Sequence, residues 1–279
     1  MKKISAVFDG LKFSEGTLAY ALEFAAKSKA LLCGVFLDSF LYHSYRLTDV
    51  IGEQGVSAVK IKHLDEKDAV ARRESSDSFE QACREAGVNY TVHHDQNLAS
   101  VELLKESIYS DLVVISASET LSQYTWQSPA PFLREFLADT QCPVLVVPED
   151  YKKIEKVVLL YDGKPASVYA IKMFNYMLPW LRNKSTEVLS VTDPKDMEEL
   201  PAAGLMREFI QSRYPNATYT LLKGDAEQEI LSYLHALPSN ALIVLGAYQR
   251  GQVSRWFKAS MADALLKKTK NILFIAHQK

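Results

Sequence analysis

One segment is written twice in this chain. Lys3-Ile4-Ser5-Ala6-Val7-Phe8-Asp9-Gly10 returns as Lys156-Val157-Val158-Leu159-Leu160-Tyr161-Asp162-Gly163, each time an apolar run closed by Asp-Gly. Four residues beyond each glycine stands a serine, Ser14 and Ser167. Apolar positions at helical spacing follow: Leu18, Ala21, Leu22 and Ala25 in one copy, Ile171, Phe174 and Leu178 in the other. Serine is a favoured helix N-cap because its hydroxyl accepts from a free backbone N–H, so both serines are expected to open a helix. A repeat on this scale constrains the fold more than composition does, because both copies must build the same order of elements.

The copies stay in step. Second strands are predicted at 31–38 and 186–193, long polar helices around 64–86 and 196–213, and third strands at 89–93 and 217–221. Fourth strands follow at Leu112–Ile115 and Leu242–Leu245, and fifth strands at Pro143–Val147 and Asn271–Ile275. Uninterrupted β-branched runs alternating with amphipathic helices indicate parallel strands covered on both faces. Right-handed crossovers wind each copy into a doubly wound, Rossmann-like α/β sheet of five parallel strands. The 279 residues suit two domains of about 140 residues each. The polar stretch Glu149-Asp150-Tyr151-Lys152-Lys153 divides them as 1–149 and 154–279.

Composition narrows the function. Residues 1–150 hold 14 Lys+Arg against 22 Asp+Glu, a net −8, while the remainder holds 18 against 12, a net +6. Opposite charges favour association of the halves, screened by salt at long range. There is no concentrated basic patch with interleaved aromatics, so a nucleic-acid partner is not expected. No apolar run approaches the roughly 18–20 residues that span a bilayer, and the first apolar stretch meets Asp-Gly too soon for a signal-peptide core. A cytoplasmic protein without membrane contact is the expectation. Cys33, Cys83 and Cys142 are odd in number and widely spaced, which fits free thiols rather than a disulfide framework or thiolate zinc site. His93-His94-Asp95 invites a metal reading, but neighbours on a strand point to opposite faces, and no metal is expected. The motif GxxxxGK[ST] of the phosphate-binding loop is absent.

In sheets of this kind ligands collect beyond the carboxyl ends of the strands, where strand order reverses. With order 3-2-1-4-5 the switch lies between strands 1 and 4. Asp9 and Asp162 therefore stand at the candidate clefts, each able to accept from ribose or adenine. The glycine turn at Gly163 leads to a helix N-terminus, whose N–H groups suit phosphate. A plain strand-to-helix turn explains a single Asp-Gly as well; recurrence at both switch points favours a binding role.

The segment after the fourth strand of the second half, Gly246 to Ser260, resembles the universal stress protein family. ATP-binding members carry G-x-x-G, nine residues, then G-[S/T] at this place. Gly246 and Ser260 match, Gln249 and Ala259 replace glycines, and Gly251, Ser254 and Arg255 are similar to common family residues. Asp111–Ile115, Cys142–Val147 and Gly224-Asp225-Ala226 also resemble family elements. The resemblance implies an adenine nucleotide α-hydrolase-like fold and a stress-response regulatory protein rather than an enzyme. It implies an adenine nucleotide such as ATP or AMP, or a related small ligand, in the second half. Asp162 would contact base or ribose, the backbone at Gly246, Gly251 and Ser260 would take phosphate, and Val191 and Leu245 would line the adenine slot. Side chains in place of glycine oppose close approach of backbone to phosphate. In the first half, Ser116-Ala117-Ser118-Glu119 and Ala130-Pro131 replace the motif, with one residue inserted. Pro131 lacks an N–H and Glu119 repels phosphate, so no triphosphate is expected there. The alternatives are an interaction protein that binds no nucleotide and a slow nucleotide hydrolase.

Two further expectations follow. Strand 5 is an edge that needs cover; family members resembling this one dimerise through it, so it is expected to pair within the chain as a pseudo-dimer or between chains as a homodimer. The aromatic-rich segment from Phe40 to Arg46 has no counterpart in the second half. It reads either as packing on its own domain or as a lid or surface for a protein partner.

Overall fold

A computed structural model describes residues 1–38, 43–52, 55–95, 97–121, 128–193, 199–246 and 259–277. The first half runs β1 (Lys3–Phe8), α1 (Glu15–Ser28) and β2 (Leu31–Leu37), then an arm of α2 (Leu47–Val50), β3 (Ile51–Gly52) and β4 (Gly55–Val56). It continues with α3 (Ala58–Glu85), β5 (Tyr90–Asp95), α4 (Ala99–Ile108), β6 (Leu112–Ser116), α5 (Pro131–Asp139) and β7 (Val144–Val147). The second half repeats the plan: β8 (Lys156–Leu160), α6 (Pro165–Met177), a 3-10 turn (Pro179–Leu181), β9 (Ser185–Thr192) and α7 (Ala203–Gln211). It closes with β10 (Thr218–Lys223), α8 (Ala226–His235), β11 (Ala241–Gly246), α9 (Ala259–Lys268) and β12 (Ile272–Ala276).

Ten strands form one sheet, ordered β10-β9-β8-β11-β12-β7-β6-β1-β2-β5. Within each half this is the predicted order 3-2-1-4-5, and all pairs of this sheet inside a half are parallel; β3 and β4 form a separate antiparallel pair. The halves join where β12 pairs antiparallel with β7, Leu273 opposite Val146, Phe274 opposite Leu145 and Ile275 opposite Val144. The two fifth strands thus cover each other within the chain. Strand residues alternate between two apolar layers. Leu145, Val147, Val157, Leu159, Ile272 and Phe274 face α1, α3, α6 and α7. Val144, Val146, Val158, Leu160, Leu273 and Ile275 face α5, α8 and α9. Each layer runs through both halves without a break at the seam.

Local chemistry moved some helix ends. Ser14 caps α1 as expected, accepting from the Thr17 N–H at 3.1 Å. Ser167 does not cap α6, whose N-cap is Lys164 followed by Pro165. Proline's fixed φ and missing N–H suit the first helical position, so the helix begins before Ser167 is reached. Helix α3 is longer than its predicted span because Ser57 caps it at 58, accepting from Lys60 N–H, and neither Gly nor Pro interrupts it. Helix α7 is shorter, starting only after Pro201 and a left-handed Ala202 with φ of 49°.

Tyr20 of α1 clamps the connection, donating to the Lys152 carbonyl and accepting from the Lys152 N–H, both at 2.9 Å. All three cysteines are free thiols, Cys33 and Cys83 buried and Cys142 partly so. Burial pushes each of them up to about 12. Phe40 lies outside the described residues. The following Ser44 and Tyr45 bond Asp68 and Asp65 of α3, so this part of the segment packs on its own half. Among the described residues, no helix is long and apolar enough to cross a membrane.

Candidate functional site

The switch points lie between β1 and β6 in the first half and between β8 and β11 in the second. Both candidate carboxylates sit there, and the two clefts differ.

In the first half Asp9 is fully buried. Its Oδ1 accepts from the Leu11 N–H at 2.8 Å, and its backbone bridges to Lys12. Glu119, just past β6, is also buried, and its Oε1 accepts from the N–H groups of Thr120 and Leu121 at 3.0 and 3.2 Å. Burial, and then the nearby Asp9 carboxylate, push Glu119 up to about 7. A recess of about 400 Å³ opens beside them, lined by residues including Lys12, Ser14, Ser116, Ser118, Glu119 and Glu149. Beyond β2, Arg72 of α3 reaches Asp38 at 2.7 Å, and His94 bonds the other Asp38 oxygen at 2.8 Å. The carboxyl ends of this half-sheet are thus filled by the protein's own charges. Two buried carboxyls beside the recess make it hostile to phosphate.

In the second half Asp162 is half-buried at the mouth of the switch point. Its Oδ1 accepts from the Lys164 N–H at 3.1 Å and from the Ser167 hydroxyl at 2.8 Å. The serine expected to cap the helix therefore orients the site carboxylate instead. Gly163 takes φ of +79° and is exposed except on one side, where it is covered by Pro201, whose Cβ lies 2.5 Å from where a Gly163 Cβ would stand. Tyr161 fixes that cover by donating to the Pro201 carbonyl at 2.8 Å. Gly246 ends β11 against the first turn of α6, with the Ala166 carbonyl only 2.3 Å from a would-be Cβ. The glycine matching the family motif therefore also has a packing reason.

Val191 and Leu245, each the last but one residue of β9 and β11, lie in the apolar layer under α8 and α9, Leu245 fully enclosed and Val191 only 3% exposed. Gly251 lies outside the described residues, with the whole segment 247–258 and so Gln249, Ser254 and Arg255. Ser260 is the second residue of α9; its side chain lies outside the description. Asp225 caps α8, accepting from Gln228 N–H at 3.0 Å. Sequence reasoning missed the Pro201 cover, Glu149 at the first cleft and the Arg72–Asp38–His94 network. None carries a local sequence signal, since each joins elements far apart in the chain.

The two histidines point apart as expected, His93 to Glu106 at 2.6 Å and His94 to Asp38. Cys33, His93 and Glu106 bring ligand-type atoms within 4.8 Å of one another. The Lys3 ammonium, 3.1 Å from Glu106, already supplies the positive charge there.

No family model matches this sequence, and no curated protein matches it. Among solved structures, a universal stress protein from Archaeoglobus fulgidus DSM 4304 aligns with 99% of this chain and 96% of its own, at a TM-score of 0.66 and 14% identity. The fold is that of a universal stress protein, in two copies. A functionally unknown protein from Pseudomonas aeruginosa PAO1 shares it over 99% of this chain and 92% of its own, at a TM-score of 0.63 and 12% identity. The universal stress fold places both Asp-Gly turns at the carboxyl end of the central strand of each half-sheet.

Proposed function

We propose that this chain is a regulatory binding protein of the universal stress type. Its second half takes an adenine nucleotide or a related small ligand, and its first half serves as a closed structural partner. The two domains are 1–149 and 154–279, and the protein works in the cytoplasm without chemistry of its own. One contrast carries this reading: Asp9 is buried beside a second carboxyl, whereas Asp162 stands half-buried and oriented by Ser167 at the equivalent point. A carboxylate held in place and reachable can accept from ribose or base; one enclosed beside Glu119 cannot. In the second half Asp162 would meet base or ribose next to the strand ends at Val191 and Leu245. Backbone at Gly163, Gly246, Gly251 and Ser260 would take the phosphates.

Thermal unfolding of the whole chain with millimolar AMP, ADP or ATP, with and without magnesium, tests it. Ligand at about a hundred times its dissociation constant stabilises by roughly 2.7 kcal/mol, a rise of several degrees for domains of this size. The rise should disappear in Asp162→Ala and persist in Asp9→Ala. No rise with any nucleotide would put the nucleotide-free interaction protein in its place, a reading that Gln249 and Ala259 at the motif glycines favour and the retained Gly246 and Ser260 oppose. Phosphate release lost in Asp162→Ala would instead revive the slow hydrolase.

A further inference from the structure

At the opposite end of the second half-sheet, the amino ends of β9 and β10, the chain forms a recess of about 550 Å³. Its wall comes from the two connections that enter these strands, 182–186 and 213–217. In the first half the equivalent connection is short, since α1 ends at Ser28 and β2 begins at Leu31. The longer passage between α6 and β9, with its 3-10 turn, is what opens the space.

The recess is lined by Arg182, Lys184 and Arg213, and no acidic residue lines it. Among the described residues, none of these three cations has a carboxylate partner. Both guanidiniums are nonetheless held in place. Arg182 Nε donates to the buried Asn175 Oδ1 at 2.9 Å, leaving the terminal nitrogens unused by that bond. Arg213 lies 4.1 Å over the Phe209 ring and donates through one terminal nitrogen to the Phe209 carbonyl and the Ser212 hydroxyl. Its Nε is buried with no hydrogen-bond partner.

Tyr214 supplies the second observation. It lines the same recess and is 2% exposed, yet its buried hydroxyl bonds nothing. An orphaned buried hydroxyl destabilises a fold, and such a group within a native fold calls for a partner. Burial pushes the hydroxyl up, while Arg182 and Arg213 pull it the other way. The O–H therefore remains a donor at neutral pH, within electrostatic reach of both guanidiniums.

We infer that Arg182, Lys184, Arg213 and Tyr214 form an anion site for the phosphate group of a small molecule. Pre-positioned guanidiniums match oxyanions bidentately, and fixing them in advance lowers the entropy lost on binding. The volume falls in the range of small-ligand pockets, with room for more than one phosphate group. The site lies at the other ends of the strands from the Asp162 cleft and does not depend on it.

Isothermal titration of the full chain with inorganic phosphate and pyrophosphate, against chloride at matched ionic strength, tests the site. Pyrophosphate should bind more tightly than phosphate. Arg182→Gln, at an exposed position, should weaken it at least tenfold. Tyr214→Phe should weaken it several-fold while raising the ligand-free melting temperature, because it removes the orphaned hydroxyl. A packing role for Tyr214 alone would leave affinity unmoved. Arg182 and Tyr214 both line the recess at the far end of the strands from Asp162, so loss of binding in these two variants separates this site from the nucleotide cleft. Binding no stronger than chloride, or binding indifferent to either Arg182→Gln or Tyr214→Phe, would overturn the proposal.

Discussion

Phe274 of β12 stands opposite Leu145 of β7, in the middle of the antiparallel seam that makes one sheet of two. Both side chains are buried in the layer shared with α1 and α6. The halves are therefore joined through a core as well as by backbone hydrogen bonds.

Truncation at the seam should destabilise the whole chain. Leu145→Ala is expected to cost about 2–5 kcal/mol and Phe274→Ala about 3–5 kcal/mol. Facing residues in one core couple, so the double variant should depart from the sum by more than about 0.5 kcal/mol. Urea denaturation of the four species measures this, and strict additivity would show that the two side chains act separately.

Stability should fall as pH rises toward neutrality at the first cleft. Folded Glu119 keeps its proton up to about 7, whereas an unfolded glutamate releases it near about 4.3. This group's contribution is therefore fully present below the lower value and is lost as pH rises through the upper one. Glu119→Gln should flatten that slope and stabilise the protein at pH 8 by on the order of 1–3 kcal/mol. Denaturation midpoints that run parallel for the two proteins from pH 5 to 8 would rule this out.

The second half carries the opposite dependence. Glu187 of β9 is buried, which raises its carboxyl, but Lys156 at 2.6 Å and the hydroxyls of Thr220 and Tyr233 together hold it below its usual value. Its contribution is present above about 4.3 and is lost as pH falls through the folded value. Lys156→Met leaves that carboxylate uncompensated and should cost about 3–5 kcal/mol at pH 7, less at pH 4. A loss equal at both pH values would assign the lysine a packing role only.

Two glycines should respond in opposite directions. Gly246→Ala drives a methyl into the Ala166 carbonyl and should destabilise by about 1–3 kcal/mol. Gly204→Ala, in α7 with nothing within 4 Å of the added carbon, should stabilise by up to about 1 kcal/mol. Thermal melts of both variants check the pair, and a neutral Gly246→Ala would mean that α6 yields at its first turn.

The sequence by itself determined the repeat, the parallel α/β plan of each half and the order that puts Asp9 and Asp162 at switch points. Those features are carried by periodicity and by chain connectivity, which a linear pattern records. It also exposed Glu119 as a carboxylate in the wrong place for phosphate. Only the tertiary structure separated the two aspartates, because enclosure of Asp9 with Glu119 and orientation of Asp162 by Ser167 depend on which elements converge. The same holds for the choice of pairing between β7 and β12, where an edge could equally have met a second chain. It holds again for Arg182, Arg213 and Tyr214, which read as surface and core residues in sequence. They meet because two connections reach the same end of the sheet, and burial then leaves one hydroxyl and one guanidinium nitrogen without a partner.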